Sequence, residues 1–218
     1  LRRYQEIIEG HIYPEIRSFA RRGNTDSTPV LNMLNTRYII VPAGKENQVM
    51  AFPNQKVLGN AWFVGAVRNA GNADEEIAAL KNIRPDSVAV VAKEFESQIS
   101  GFRGGKDSSD RIVLDSYSPN DLQYHYRSAN GGLAVFSEIY YPKGWNAYVD
   151  DKPAPYFRAN YILRAMVLPA GEHKVRFRFE PAVFRLGEKI SLASSVFLLL
   201  AALALTGIGV RRSFAKKA

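Results

Sequence analysis

The 218 residues contain no cysteine, which excludes disulfides and thiolate metal sites and leaves the redox compartment open. Twenty-nine Lys and Arg against 21 Asp and Glu give a formal charge of +8 at pH 7, a balance that on its own would suit nucleic acid. Four of those cations, Arg211, Arg212, Lys216 and Lys217, sit beside a long apolar run, where anionic lipid is the expected counter-charge, so no nucleic-acid partner is predicted.

From the amino end, Leu1, Tyr4, Ile7 and Ile8, then Ile12, Ile16 and Phe19, recur at helical spacing. Gly10 and Pro14 interrupt them, which predicts two short helices with Pro14 in the first turn of the second. Thr28-Pro29 predicts an N-cap and first helical position, with the helix reaching Leu34. Arg37 to Val41 is β-branched and reads as a buried strand. Val49 to Phe52 and Ala61 to Arg68 are further strands. Asn72 with Glu75 forms a capping-box pattern, Ile77, Leu80 and Ile83 give that helix an apolar side, and Pro85 stops it. With the apolar strand Ser87 to Ala92, residues 1–105 read as a small α+β unit. Ser100 to Asp110, rich in glycine, serine and charge, reads as the boundary.

Beyond it the pattern is strands alone: Arg111 to Tyr117, Asp121 to Arg127, Gly132 to Tyr140, Trp145 to Val149, Tyr156 to Ala159, Leu163 to Val167 and His173 to Glu180. Short strands with turn signals between them predict an antiparallel β-sandwich over residues 106–182. In the last strand Val175, Phe177 and Phe179 alternate with Lys174, Arg176 and Arg178, so one face packs and the other is wet. Ile190 to Val210 then runs without a charge and is long enough to cross a hydrocarbon core of about 30 Å. Residues 183–218 are therefore a transmembrane helix with a basic tail. By the positive-inside bias the tail is cytoplasmic and residues 1–189 are extracytoplasmic. The chain opens on LRRYQEIIEG, with neither an initiator Met nor an export signal, so it is expected to be the carboxy-terminal piece of a longer polytopic protein.

Little in the chain points to catalysis. Gly101 to Asp107 (GFRGGKD) departs from a phosphate-binding loop, with Ser100 at the first glycine position and Asp107 where Ser or Thr would hold magnesium. His11, His125 and His173 fall on different elements without ligand spacing. Asp150 and Asp151, adjacent on an extended chain, would point to opposite faces, which spoils them as an acid/base pair, and a tight turn carrying Asp151-Lys152 is the better reading. No catalytic residue, metal or cofactor is expected.

Two groups remain as binding candidates. Tyr140, Tyr141, Trp145, Tyr148, Tyr156, Phe157 and Tyr161 crowd one part of the sandwich, either as core or as a sugar platform, with Trp145 and Tyr148 the candidates for carbohydrate contact. Lys174, Arg176, Arg178 and Arg185 lie shortly before the span. They are either a solvated face or contacts for lipid phosphate or a lipid-linked phosphosugar.

Tyr141-Pro142 with Gly144-Trp145, Val149-Asp150 with Lys152, Asn160 with Arg164-Ala165, and Leu168 to Gly171 with His173 resemble the carboxy-terminal region of bacterial YfhO-like membrane proteins. Leu31 to Val41 resembles the stretch that follows that family's membrane bundle. The turn departs from the family at Asp151, where glycine is commoner. The resemblance implies a polytopic protein akin to the GT-C glycosyltransferases, which use polyprenyl-phosphate-linked sugars to modify envelope polymers. It implies that the catalytic carboxylate lies in an early loop outside this chain. On this reading the region is non-catalytic and its sandwich positions or recognises a glycopolymer acceptor. The bilayer and the remaining membrane bundle are its other partners. The alternative is an interaction module without sugar affinity.

Overall fold

The computed structural model describes residues 2–42 and 48–215, without the side chains of 182, 184–186 and 209–215. The helical spacing at the amino end folds as α1 (Arg2–Ile7) and α2 (Tyr13–Arg22), joined without a break by a wide π turn over Ile8–Ile12. Two separate helices were the expectation, but Gly10 and Pro14 cause no interruption. Pro14 lies at the start of α2, where a missing N–H costs little. The π turn points His11 inward, and its Nε2 pairs with the Ile77 carbonyl at 2.9 Å.

The next helix, α3 (Pro29–Met33), is not capped by Thr28, whose hydroxyl donates instead to the Thr25 carbonyl. A side chain from α2 does the work: the Glu15 carboxylate accepts the N–H groups of Val30 and Leu31 at 3.0 and 2.9 Å. Glu15 is buried, and that burial pushes its pKa up to about 7, against the two N–H bonds that favour the charge. Unfolded, the group titrates near its ordinary value of 4.5. Between those pH values the unfolded chain has released a proton that the folded chain keeps. Stability from this group is therefore complete below about pH 4.5 and falls as pH rises to 7, by on the order of 3 kcal/mol. Denaturation midpoints taken from pH 4.5 to 7 should show a fall that Glu15→Gln flattens. Parallel profiles for the two proteins would contradict it.

Strands β1 (Tyr38–Pro42) and β2 (Val49–Pro53) form an antiparallel ribbon of their own. The expected burial of Arg37 to Val41 holds on one face only. Ile39 and Val41 pack with Phe19 and Leu31, whereas Tyr38 and Ile40 are exposed, because no third layer covers a two-stranded ribbon.

The strand expected over Ala61 to Arg68 breaks at Gly65 into β3 (Ala61–Val64) and β4 (Ala66–Ala70). Then come α4 (Ala73–Ala79), β5 (Val88–Ala92), β6 (Arg111–Ser118), β7 (Asp121–Ser128) and β8 (Gly132–Ile139). They are followed by β9 (Trp145–Val149), β10 (Lys152–Pro153), β11 (Phe157–Ala159), β12 (Leu163–Leu168) and β13 (Gly171–Phe179). The predicted capping box starts α4: Glu75 N–H donates to Asn72 Oδ1 at 2.9 Å, and the Glu75 carboxylate accepts Gly71 N–H at 2.7 Å.

Two sheets result, mostly antiparallel, ordered β10-β9-β13-β7-β6 and β3-β8-β12-β11-β5-β4. The ends of a flat six-stranded sheet would lie about 24 Å apart. Here the edge strands β3 and β4 flank a single glycine, so their ends are within about 7 Å. The larger sheet must therefore curl until its edges meet at Gly65. It also takes strands from both sides of residue 105. Ala61 and Phe63 join Tyr124, Phe136 and Phe177 in the layer between the sheets, while Trp62, Val64 and Val90 face the helices.

From β13 the chain passes through Glu180 and Pro181 into α5 (Ala182–Ala215), 34 residues long. Its apolar stretch Gly187–Ile208 is not buried against anything else in the molecule. At 1.5 Å per residue, those 22 residues span about 33 Å, the thickness of a hydrocarbon core.

Candidate functional site

Strand alternation fixes the geometry where the sandwich meets α5. In β13, Val175 and Phe177 point into the core and are fully buried, as their spacing predicts. Arg176 and Arg178 point outward, and β9 lies alongside with Tyr148 opposite Arg176, Asn146 opposite Arg178 and Trp145 opposite Phe179. Trp145 and Tyr148 are three residues apart on one strand, so they face opposite sides of the sheet. One sugar ring cannot stack on both.

Trp145 sits at the mouth of the core. Its ring packs on Phe179 at 5.4 Å between centroids, and the guanidinium of Arg164 lies 4.2 Å from its centre. Arg164 is 3% exposed, donates from Nε to the Ile139 carbonyl at 3.1 Å, and stands over Phe177 as well. Burial pulls its pKa down, while nearby Glu138 opposes that shift. Burial likewise raises the Glu138 carboxyl.

On the outer face, carboxylates take up the cations. Arg176 grips Asp121 with two nitrogens, its Nε standing 2.9 and 3.1 Å from the two oxygens, and holds that carboxyl below its ordinary range. Arg178 stands 3.3 Å from Glu180 and 3.9 Å from Asp121. Glu180 also accepts the Tyr148 hydroxyl at 2.7 Å and the Asn146 amide at 3.2 Å. The result is a clasp: two residues of β9 and one of β13 hold the residue that precedes the Pro181 turn into α5. Residue spacing alone did not reveal Asp121 and Glu180 as partners, since one lies on another strand and the other beyond the end of β13.

The remaining candidates lie elsewhere. Lys174 is five residues before Phe179, about 17 Å along the strand, and its backbone N–H donates to Asp150 at 3.0 Å. The side chain of Arg185 and residues 216–218 lie outside the described part. The tight turn expected over Asp151-Lys152 lies one residue earlier: Asp150 and Asp151 join β9 to β10, both with positive φ, at 48° and 62°, and Lys152 already pairs with Val149. Asp150 also pairs with His173 at 2.6 Å and raises that imidazole's pKa. His125 pairs with Asp115, and among the described residues no three acidic or imidazole groups gather as metal ligands. The GFRGGKD loop lines a shallow cleft with Asn130 to Gly132 and Val167 to Pro169, away from the clasp.

Residues 106–191 match the family model described as bacterial membrane protein YfhO, a stretch that runs from before β6 into α5 and contains the whole clasp. Over this segment the chain is similar to the YfhO family. No curated protein and no solved structure matches the chain. With the unburied apolar helix, the YfhO match makes this a membrane protein. The resemblance that Tyr141 to His173 carry in the sequence is the same relationship.

Proposed function

We propose that the chain is the non-catalytic, extracytoplasmic end of a polytopic YfhO-family protein in the bacterial cytoplasmic membrane, with the basic tail on the cytoplasmic side. Its sandwich serves as a rigid body fixed to the last span. The observation that carries this reading is the clasp on Glu180, which ties Tyr148, Asn146 and Arg178 to the chain just ahead of α5. A domain on a loose tether has no use for such bonds.

A second reading is that the sandwich positions or recognises a glycopolymer acceptor for an envelope glycosyltransferase using polyprenyl-phosphate-linked sugar. It is favoured by the outer face, where Tyr148 stands across from Arg176 on the neighbouring strand and Arg178 follows two residues on, toward the span. A ring and a cation side by side suit a phosphosugar.

One experiment separates the two: titration of envelope glycans and polyprenyl-phosphate analogues into the full chain in lipid nanodiscs. Saturable binding that a folded Arg176→Ala/Arg178→Ala variant loses, or a folded Trp145→Ala variant loses, supports recognition. Absence of binding, together with a Glu180→Ala variant that unfolds at clearly lower denaturant, supports the rigid-mount reading alone. Absence of binding with an unchanged midpoint in Glu180→Ala would remove both.

A further inference from the structure

The end of the sandwich that carries the clasp also carries exposed aromatic groups that the clasp does not use. Tyr117, near the end of β6, is 63% exposed, and Tyr141, in the loop between β8 and β9, is 50% exposed. Lys143 in the same loop is exposed, and Ile139, the last residue of β8, is 41% exposed. Burying these rings would be favourable, and no part of the described chain does so.

Backbone bonds fix where this rim lies. The Phe179 N–H donates to the Asn120 carbonyl at 2.9 Å, which ties the β6–β7 turn to the end of β13. The Glu180 N–H donates to the Gly144 carbonyl at 2.6 Å, which ties down the β8–β9 loop. Gly144 is packed so closely that a Cβ there would stand 2.8 Å from the Phe179 ring and 3.1 Å from Pro181. Both rim segments are therefore held against residues 179–181. From Pro181 to the first residue of the apolar stretch, Gly187, is six residues, or about 9 Å at helical rise. The headgroup layer on each side of a hydrocarbon core is about 5–8 Å thick. Residues 179–181 thus stand at the outer edge of the headgroup layer, within a side chain's reach of it, and tyrosine and lysine are the residue types that settle there.

We infer that this rim, with Tyr117, Tyr141 and Lys143 at its edge, is a second membrane contact, docked in the headgroup layer of the same bilayer that α5 crosses. The inference rests on the membrane reading of α5. It assigns lipid contact to a different set of residues from Arg176 and Arg178, whose charges Asp121 and Glu180 already engage. The opposite end of the sandwich offers a contrast: Arg127, six residues along β7 from Asp121 and about 20 Å away, pairs with Glu172 in a polar surface.

The absence of cysteine makes the test clean. Single variants Tyr117→Cys, Tyr141→Cys, Lys143→Cys, Arg127→Cys and Leu199→Cys of the full chain are labelled with an environment-sensitive fluorophore. They are then reconstituted in vesicles containing lipid spin-labelled at the headgroup or deep in the acyl chain. Headgroup-level quenching at 117, 141 and 143 should exceed that at 127 by at least about twofold. Because Lys143 is an exposed charged residue, its label reads the rim even if a tyrosine variant misfolds. Rim labels quenched no more than the label at 127 overturn the inference. So do rim labels shielded from aqueous quencher but untouched by spin-labelled lipid, since a protein would then cover them. Weak deep quenching at 199 would overturn the spanning reading of α5 and the rim with it. Strong quenching at 199 without quenching at the rim removes the rim alone.

Discussion

Glu76→Ala is expected to lower the stability of the chain by about 3–5 kcal/mol, among the larger losses that one buried side chain can produce. Glu76 on α4 is completely buried, and its carboxylate is shared three ways. Arg3 of α1 reaches it at 3.0 Å, Arg158 of β11 at 3.4 Å, and the backbone N–H of Tyr161 at 3.1 Å. The last bond holds a bulky residue at φ 72°, a conformation that tyrosine seldom adopts. The Tyr161 hydroxyl in turn donates to Glu6, and the Arg3 guanidinium lies 4.5 Å from its ring centre. Removing the carboxylate leaves two guanidinium groups and an N–H short of an acceptor. Arg158 keeps Glu94, an acceptor that is itself largely exposed, at 2.5 Å, and the Phe95 ring, 5.0 Å from its guanidinium. Chemical denaturation of the full chain in detergent reads the effect, and Glu76→Gln should fall between parent and Ala variant because it keeps an acceptor for Tyr161. A loss below about 1 kcal/mol for Glu76→Ala would show that the three partners find other acceptors.

This network also marks where reading the residues in order stops. Local signals carried through: the Asn72/Glu75 capping box forms, the alternation of Val175 and Phe177 with Arg176 and Arg178 sets the two faces of β13, and Ile190 to Val210 lies within the helix expected there. Each depends on neighbours a few residues apart. Glu76 sits next to the capping Glu75 and has the same side chain, yet its partners are 73, 82 and 85 residues away. Nothing in periodicity distinguishes the two. Glu15 is a similar case, since replacing Thr28 as the cap of α3 requires α2 to lie across its start. The six-stranded sheet poses the same problem on a larger scale: Gly65 signals a break in a strand, but not that the halves become opposite edges of one curled sheet. At the candidate site, alternation already separates Trp145 from Tyr148. What it leaves out is the Asp121 and Glu180 carboxylates that engage the arginines.

Phe177→Ala is the second large effect, expected at about 3–5 kcal/mol, and its neighbour shows why position on the strand decides the size. Phe177 is fully buried between the two sheets. Its ring meets Phe136 at 4.9 Å, Tyr156 at 5.6 Å and Tyr124 at 6.2 Å, each nearly edge to face. Arg164 stands 5.1 Å above it, so truncation opens a cavity and also takes away one of the two rings that shelter a buried cation. The surrounding rings come from both sheets and cannot close in without moving a strand. Arg176→Gln, one residue earlier, removes a charge pair on the half-exposed outer face and should cost no more than about 1 kcal/mol. Denaturation midpoints of the two variants side by side give the measurement. Equal losses would mean that the sandwich is held by its outer ion pairs as much as by its core.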